Sequence, residues 1–220
     1  MKRFRLSVSI LTLSTLLFAA QAFAAPQVYE IDPVHSRVEF TIRHMFSKVT
    51  GNFGTFKGTI RYDAADPAAS SVNAEIDASS IDTNNERRDG HLKSSDFFDV
   101  AKYPTITFTS TKVKTDSDGK TKVEGTLTMH GVQKQVDLDV AYLGAGPGLD
   151  GVVRSGFEGM TKVDRKDYGI VWNKALDKGS TLLGDDVQIS LEIEAVAPTP
   201  DGGKAEAKPK AEKKEAPAKK

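Results

Sequence analysis

The sequence predicts an all-β domain of eight or more antiparallel strands with one short helical insertion. Three observations predict it. Apolar residues recur with a period of two over most of the 220-residue chain, which marks strands with one oily and one wet face. Clusters of turn-forming residues separate these stretches. Successive strands lack the intervening helices of βαβ units, which leaves an antiparallel sandwich or barrel.

Taken in order, residues 1–24 read as a secretory signal peptide. Lys2, Arg3 and Arg5 precede an apolar run from Leu6 to Ala20, and Ala22-Phe23-Ala24 supplies the small-residue cleavage pattern. The run falls short of the roughly 20 residues of a spanning helix. The expected product is therefore exported, periplasmic and free of any integral membrane segment. Residues 25–198 form the predicted domain. Alternation places Val38, Phe40 and Ile42 on one face, then Phe56, Ile60 and Tyr62, then Val72, Ala74 and Ile76. It returns in Ile106 and Phe108, in Val123, Leu127 and Met129, in Val136, Leu138, Val140 and Tyr142, and in Val187, Ile189, Leu191 and Ile193. Turns are expected at Asp66-Pro67, at Asp116–Gly119, at His130-Gly131 and at Gly144–Gly148. Between the third and fourth of these strands the pattern breaks. Residues 84–92 begin with the good cap residues Asn84 and Asn85 and carry charge throughout, as a short surface helix does. Ser94–Phe98 reads as a second capped turn, and Tyr103-Pro104 returns the chain to extended backbone. Residues 199–220 repeat Lys, Ala, Glu and Pro with no large apolar side chain, a composition that cannot bury enough surface to order itself.

Composition narrows the function. The chain's formal charge is zero, but both ends are basic and the domain between them carries about −6 with His neutral. An acidic domain argues against nucleic acid, which demands a basic face. The chain has no cysteine, which excludes a disulfide framework, a thiolate nucleophile, a Cys-ligated metal and a thioether-linked haem. His35, His44, His91 and His130 are the only histidines, and none shows the spacing of a local metal site. There is no G-x-S-x-G elbow and no phosphate-binding loop of P-loop form. Neither catalytic residues, nor a metal, nor a cofactor is expected. A barrel of about eight strands leaves room for one small ligand, whereas a sandwich of the same strands buries the same residues with no cavity. Alternation alone fits both.

Several segments, in order, resemble the YceI-like family. They are Ile31-Asp32-Pro33-Val34-His35-Ser36 through Phe40, Arg43-His44-Met45, and Gly51-Asn52-Phe53-Gly54-Thr55-Phe56. Ser80–Asn84, Arg88-Asp89, His91–Ser94, Asp96–Asp99, Tyr103-Pro104 and Phe108 follow. The second half adds Gly125–Val132 and Arg165-Lys166-Asp167-Tyr168-Gly169. The resemblance spans about Tyr29 to Ala195. It implies an extended antiparallel, lipocalin-like β-barrel whose interior holds a long isoprenoid chain, such as a polyprenyl quinone precursor or a polyprenyl phosphate. It implies a binder or carrier rather than an enzyme, with several members linked to alkaline or osmotic stress.

On that reading Phe40, Phe56, Phe108, Leu127, Met129, Phe157 and Trp172 are the candidate cavity wall, with Ile42, Ile60 and Ile106 sharing their faces. Arg88, Asp89 and His91 on the helical insertion are candidates for head-group contact, set against a purely structural role as a cap or local ion pair. Arg165 and Asp167, on one side of an apparent strand, read as a structural salt bridge at the barrel's end, set against contact with a ligand head. The expected partner is the lipid itself, with the protein a monomer or a homodimer. Two other readings stay in view: an enzyme acting on a lipid head group at the barrel mouth, and an envelope interaction module using its outer face.

Overall fold

Every strand finds its hydrogen-bonding partner in a single closed sheet. The computed structural model describes residues 26–176 and 181–198; the signal peptide and the basic tail lie outside them. Eleven strand segments are present: β1 (Gln27–Ile31), β2 (Arg37–His44), β3 (Ser47–Phe53), β4 (Phe56–Tyr62), β5 (Ser71–Asp77), β6 (Ile81–Asp82), β7 (Thr105–Thr115), β8 (Thr121–Met129), β9 (Val132–Pro147), β10 (Val153–Asp164) and β11 (Leu183–Val196). One helix, α1 (Glu86–Lys93), stands between β6 and β7.

The first six segments behave as three bent strands. Both β1 and β2 lie along β11, with Glu30 opposite Val196 and Thr41 opposite Gln188. β4 pairs with β1 and β3 with β2, while β5 pairs with β4 and β6 with β3. The bends fall at residues 32–36, 54–55 and 78–80. A hydrogen bond from Gly54 N to Ser80 O (3.2 Å) ties the second bend to the third. With β7 to β11 these make eight antiparallel strands, each paired with the next, and the last closes on the first. Closure removes free edges and forces the interior side chains around a central space.

Local chemistry explains the connections. His130 (φ 52°) and Gly131 (φ 75°) form a two-residue hairpin turn between β8 and β9, the geometry whose twist suits paired strands. The Asp116 carboxylate accepts from the backbone N–H groups of Asp118 and Lys120 and closes the β7–β8 turn. Asn85 caps α1 by accepting from Arg88 N at 3.0 Å.

Two local expectations need correction, and one strand gave no signal in the sequence. Gly144–Pro147 is the end of β9, not a turn: Gly144 faces Gly156 on β10, and the chain turns later, where Gly151 N bonds Gly148 O. β10 itself lacks an apolar alternation because Ser155, Gly159 and Thr161 share its inward face with Phe157 and Val163. Arg165–Tyr168 is a turn of 3-10 helix, opened by Asp164 accepting from Lys166 N, rather than a strand end.

The two ends of the barrel differ. One is stoppered by stacked rings, with Tyr62 4.4 Å from Tyr142 and Tyr142 5.4 Å from Phe157, centroid to centroid. The other carries α1, the Arg165 turn and the β2–β3 hairpin.

Candidate ligand cavity

Interior residues of the barrel do not fill it. Ile60, Val72, Ile189 and Leu191 point inward yet are only partly buried, because they face a space of about 310 Å³ instead of another side chain. The space touches Leu183, Val187, Ile189, Leu191 and Ile193 in turn along β11. Those positions cover about 33 Å of extended strand at 3.3 Å per residue, so the cavity is long and narrow. Ordinary ligand pockets run from roughly 300 Å³ upward.

Of the predicted wall residues, Phe40 and Ile42 on β2, Phe56 and Ile60 on β4, Ile106 and Phe108 on β7, Leu127 and Met129 on β8, and Trp172 all border this space. Phe157 does not. It is buried, but in the ring cluster at the stoppered end, 5.7 Å from Tyr62, so its expected place on the wall is corrected to the plug. Its neighbour Tyr29 is likewise buried. Val49, Phe53, Phe97 and Phe98 complete the wall and were not anticipated. Phe53 and Val49 lie on a strand whose inward set is interrupted by Gly51, which breaks the alternation that reveals other strands. The ring of Phe40 lies over that glycine: a Cβ there would stand 2.5 Å from Phe40 Cζ. Cross-strand pairing of Phe40 with Gly51 thus sets how far the ring projects into the cavity.

Arg88, His91 and Arg165 border the cavity where the helix and the 3-10 turn meet the barrel, and Glu39, Lys57 and Thr161 border it from the strands. Asp89 does not border it. Asp89 accepts from Thr83 N at 3.0 Å and from the Thr83 hydroxyl. Arg88 Nε donates to that hydroxyl (2.7 Å) and Nη2 to Thr83 O (2.8 Å). The pair therefore locks α1 to β6. Arg88 Nη1 has no hydrogen-bond partner among the described residues. His91 meets Asp96 at 2.8 Å, and its ring stands edge-on between Phe97 and Trp172, 5.0 and 4.9 Å away.

Arg165 is the buried cation of this end, at 3% exposure. Its Nη1 donates to Ile170 O (2.7 Å) and Trp172 O (2.8 Å), its Nε to Gly184 O (2.9 Å) and its Nη2 to Asp185 (3.1 Å). The expected Arg165–Asp167 bridge is corrected: Asp185, nineteen residues beyond Lys166, is the carboxylate that holds both. Lys166, then Arg165, keep Asp185 below the usual carboxylate range. Arg165 borders the cavity itself and pins Ile170 and Trp172 against it.

Asp32, His35 and Glu194 also converge, with their potential ligand atoms within 4.8 Å of one another. His35 bonds Asp32 at 2.7 Å, and Arg154 Nε lies 3.0 Å from Glu194. An arginine already neutralises the carboxylate a cation would need, so the trio is read as an ion-pair network stitching the first bend to β11.

The model of the YceI-like domain matches residues 29–195, three quarters of the chain. The chain belongs to the YceI-like family. Protein YceI of Escherichia coli is 41% identical over 184 residues, covering 83% of this chain and 94% of its own. The crystal structure of Burkholderia cenocepacia BcnA superposes with a TM-score of 0.67 at 25% identity, over 75% of this chain and 99% of that one. A polyisoprenoid binding domain from Saccharophagus degradans shares the fold at a TM-score of 0.53 and 18% identity, over 78% of this chain and 99% of that one. In the YceI-like chain no helix among the described residues is long and apolar enough to cross a membrane.

Proposed function

We propose that this protein is a periplasmic binding or carrier protein for a long-chain isoprenoid lipid, which it holds in the barrel without chemical change. The shape and chemistry of the cavity carry the reading: long, narrow and walled almost wholly by hydrocarbon. A prenyl unit has about the hydrocarbon of a Leu or Ile side chain, whose burial is worth roughly 1.5–3 kcal/mol. A few units in the channel suffice for tight binding, and a soluble sleeve of this kind gives a water-insoluble chain a route between membranes. That a neighbour of the same fold is a polyisoprenoid binding domain supports the same ligand class. The free donors of Arg88 at the cavity edge suit a phosphate or another polar head.

Trp172 is the only tryptophan and borders the cavity, so its emission reports occupancy. Titration with prenyl alcohols of increasing length is expected to shift that emission. Affinity should tighten about tenfold or more per added unit, then level off once the channel is full. A flat emission and no retained alcohol at any length would exclude the reading.

A further inference from the structure

At the end opposite the ring plug, taken as the open end, the rim carries apolar side chains exposed to solvent. At the tip of the β2–β3 hairpin Phe46 is 94% exposed and Met45 43% exposed; across the rim Val171 is 62% exposed. Backbone contacts make these one continuous edge. Met45 N bonds Leu182 O (2.9 Å), Leu182 N bonds Lys174 O (2.9 Å), and the Asn173 amide exchanges two bonds with Leu183 (2.9 and 3.0 Å). Behind each exposed residue stands a cavity residue: Ile42 and Val49 behind the hairpin tip, Ile170 and Trp172 on either side of Val171. Met45 holds φ at 48°, in the left-handed region that glycine or asparagine fills at less cost. The tip thus presents large apolar groups against the preference of its own backbone.

The charges of the same edge are basic. Arg43, Lys48 and Lys174 are exposed and make no ion pair among the described residues, and His44 lies between the first two. Of the acids nearby, Asp185 pairs with Arg165 and Lys166 and Asp186 with Lys162; Asp167, and Asp82 and Glu86 beside α1, make no ion pair among the described residues, so the basic charge is local to the hairpin and Lys174. The opposite end also exposes Leu149 and Leu143, but its charges are matched as Arg154 with Asp150 and Glu194, and its rings close the barrel.

From this combination we propose that the Met45-Phe46 tip, with Val171, docks the open end of the barrel onto an anionic lipid bilayer. Apolar tips enter the interface while Arg43, Lys48 and Lys174 meet anionic head groups. The cavity mouth then faces the hydrocarbon, and a prenyl chain passes from bilayer to channel without crossing water. This deepens the carrier reading by giving it a loading surface, and it rests on that reading only for its purpose.

Flotation of the mature protein with phosphatidylethanolamine–phosphatidylglycerol vesicles tests it, with phosphatidylcholine vesicles as the neutral comparison. The wild type should float with the anionic vesicles and be released by about 0.5 M salt, where screening acts over only a few ångströms. Phe46→Asp should lower the bound fraction about tenfold, and Lys48→Glu should lower it on anionic vesicles alone. Both side chains are exposed, so the circular dichroism and thermal midpoint of the variants should match the wild type. The proposal is overturned if the wild type fails to float with anionic vesicles, or if Phe46→Asp floats equally well. It is equally overturned if Phe46 instead supports a concentration-dependent dimer or a stable protein complex. Docking without any uptake of prenyl alcohol would leave this surface standing and remove the carrier reading; uptake from detergent without docking would do the reverse.

Discussion

At the scale of single residues, two buried groups near the 3-10 turn set the behaviour of the open end. Arg165 satisfies three backbone carbonyls and one carboxylate from a buried position. Arg165→Ala removes the donor from all three carbonyls at once and leaves Asp185 with Lys166 alone. The expected loss is about 3–5 kcal/mol by urea denaturation, the scale for breaking a buried ion pair. The sequence made a salt bridge here legible, but not its partner, since Asp185 comes from another strand and only the closed sheet brings it near. Tyr168 is the second group. Its side chain is 1% exposed and its hydroxyl has no hydrogen-bond partner among the described residues. Burial, followed by the charge of Asp167, pushes the phenol up to about 12. In the unfolded chain the phenol ionises near 10, so above that pH the unfolded state releases a proton that the folded state keeps. The contribution of Tyr168 to stability should therefore be constant below pH 10 and fall as pH rises from about 10 to 12. Tyr168→Phe should show a shallower fall over that window in denaturant titrations.

At the scale of elements, strands with an uninterrupted oily face were the ones readable in advance. β2, β4, β5, β7, β8, β9 and β11 each carry two or more inward apolar residues at alternate positions. β3 and β10 were hidden by Gly51 and by Ser155, Gly159 and Thr161, where a neighbouring ring or side chain occupies the space a Cβ would take or where a polar group turns inward. β1 and β6 were too short to show a period, and they join the sheet because they continue β2 and β5 across a bend. The gap in side chains at Gly51 is where element and cavity meet. Gly51→Ala puts a methyl 2.5 Å from Phe40 Cζ and 2.7 Å from Thr83 Cγ2. The Phe40 ring has open space only on its cavity side. The variant should lose about 1–3 kcal/mol of stability and bind the longest prenyl alcohols about tenfold more weakly, because the ring intrudes on the channel. Parallel denaturation and Trp172 titrations separate the two effects.

At the scale of the whole molecule, three bent strands and five straight ones enclose a space instead of packing against each other. Alternation alone fitted a sandwich equally well. The difference lies in closure of the last strand on the first, set by pairings between residues such as Glu30 and Val196 that are far apart in sequence. The wall was mostly legible because inward aromatics on alternating strands must face the axis of any barrel they form. The asymmetry was not, since the rings that stopper one end come from β4, β9 and β10 and meet only after closure. Phe157 went to that plug for this reason. A barrel stoppered at one end and apolar along its length is suited to a linear hydrocarbon that enters from the other. Native mass spectrometry of the mature protein, purified without detergent from the envelope of a cell making prenyl lipids, tests this directly. The account predicts a population heavier than the polypeptide by one prenyl lipid, released intact on activation and lost in Phe108→Asp, with circular dichroism reporting the fold of that variant. A spectrum holding only the bare polypeptide mass, from cells shown to contain the lipid, would contradict it.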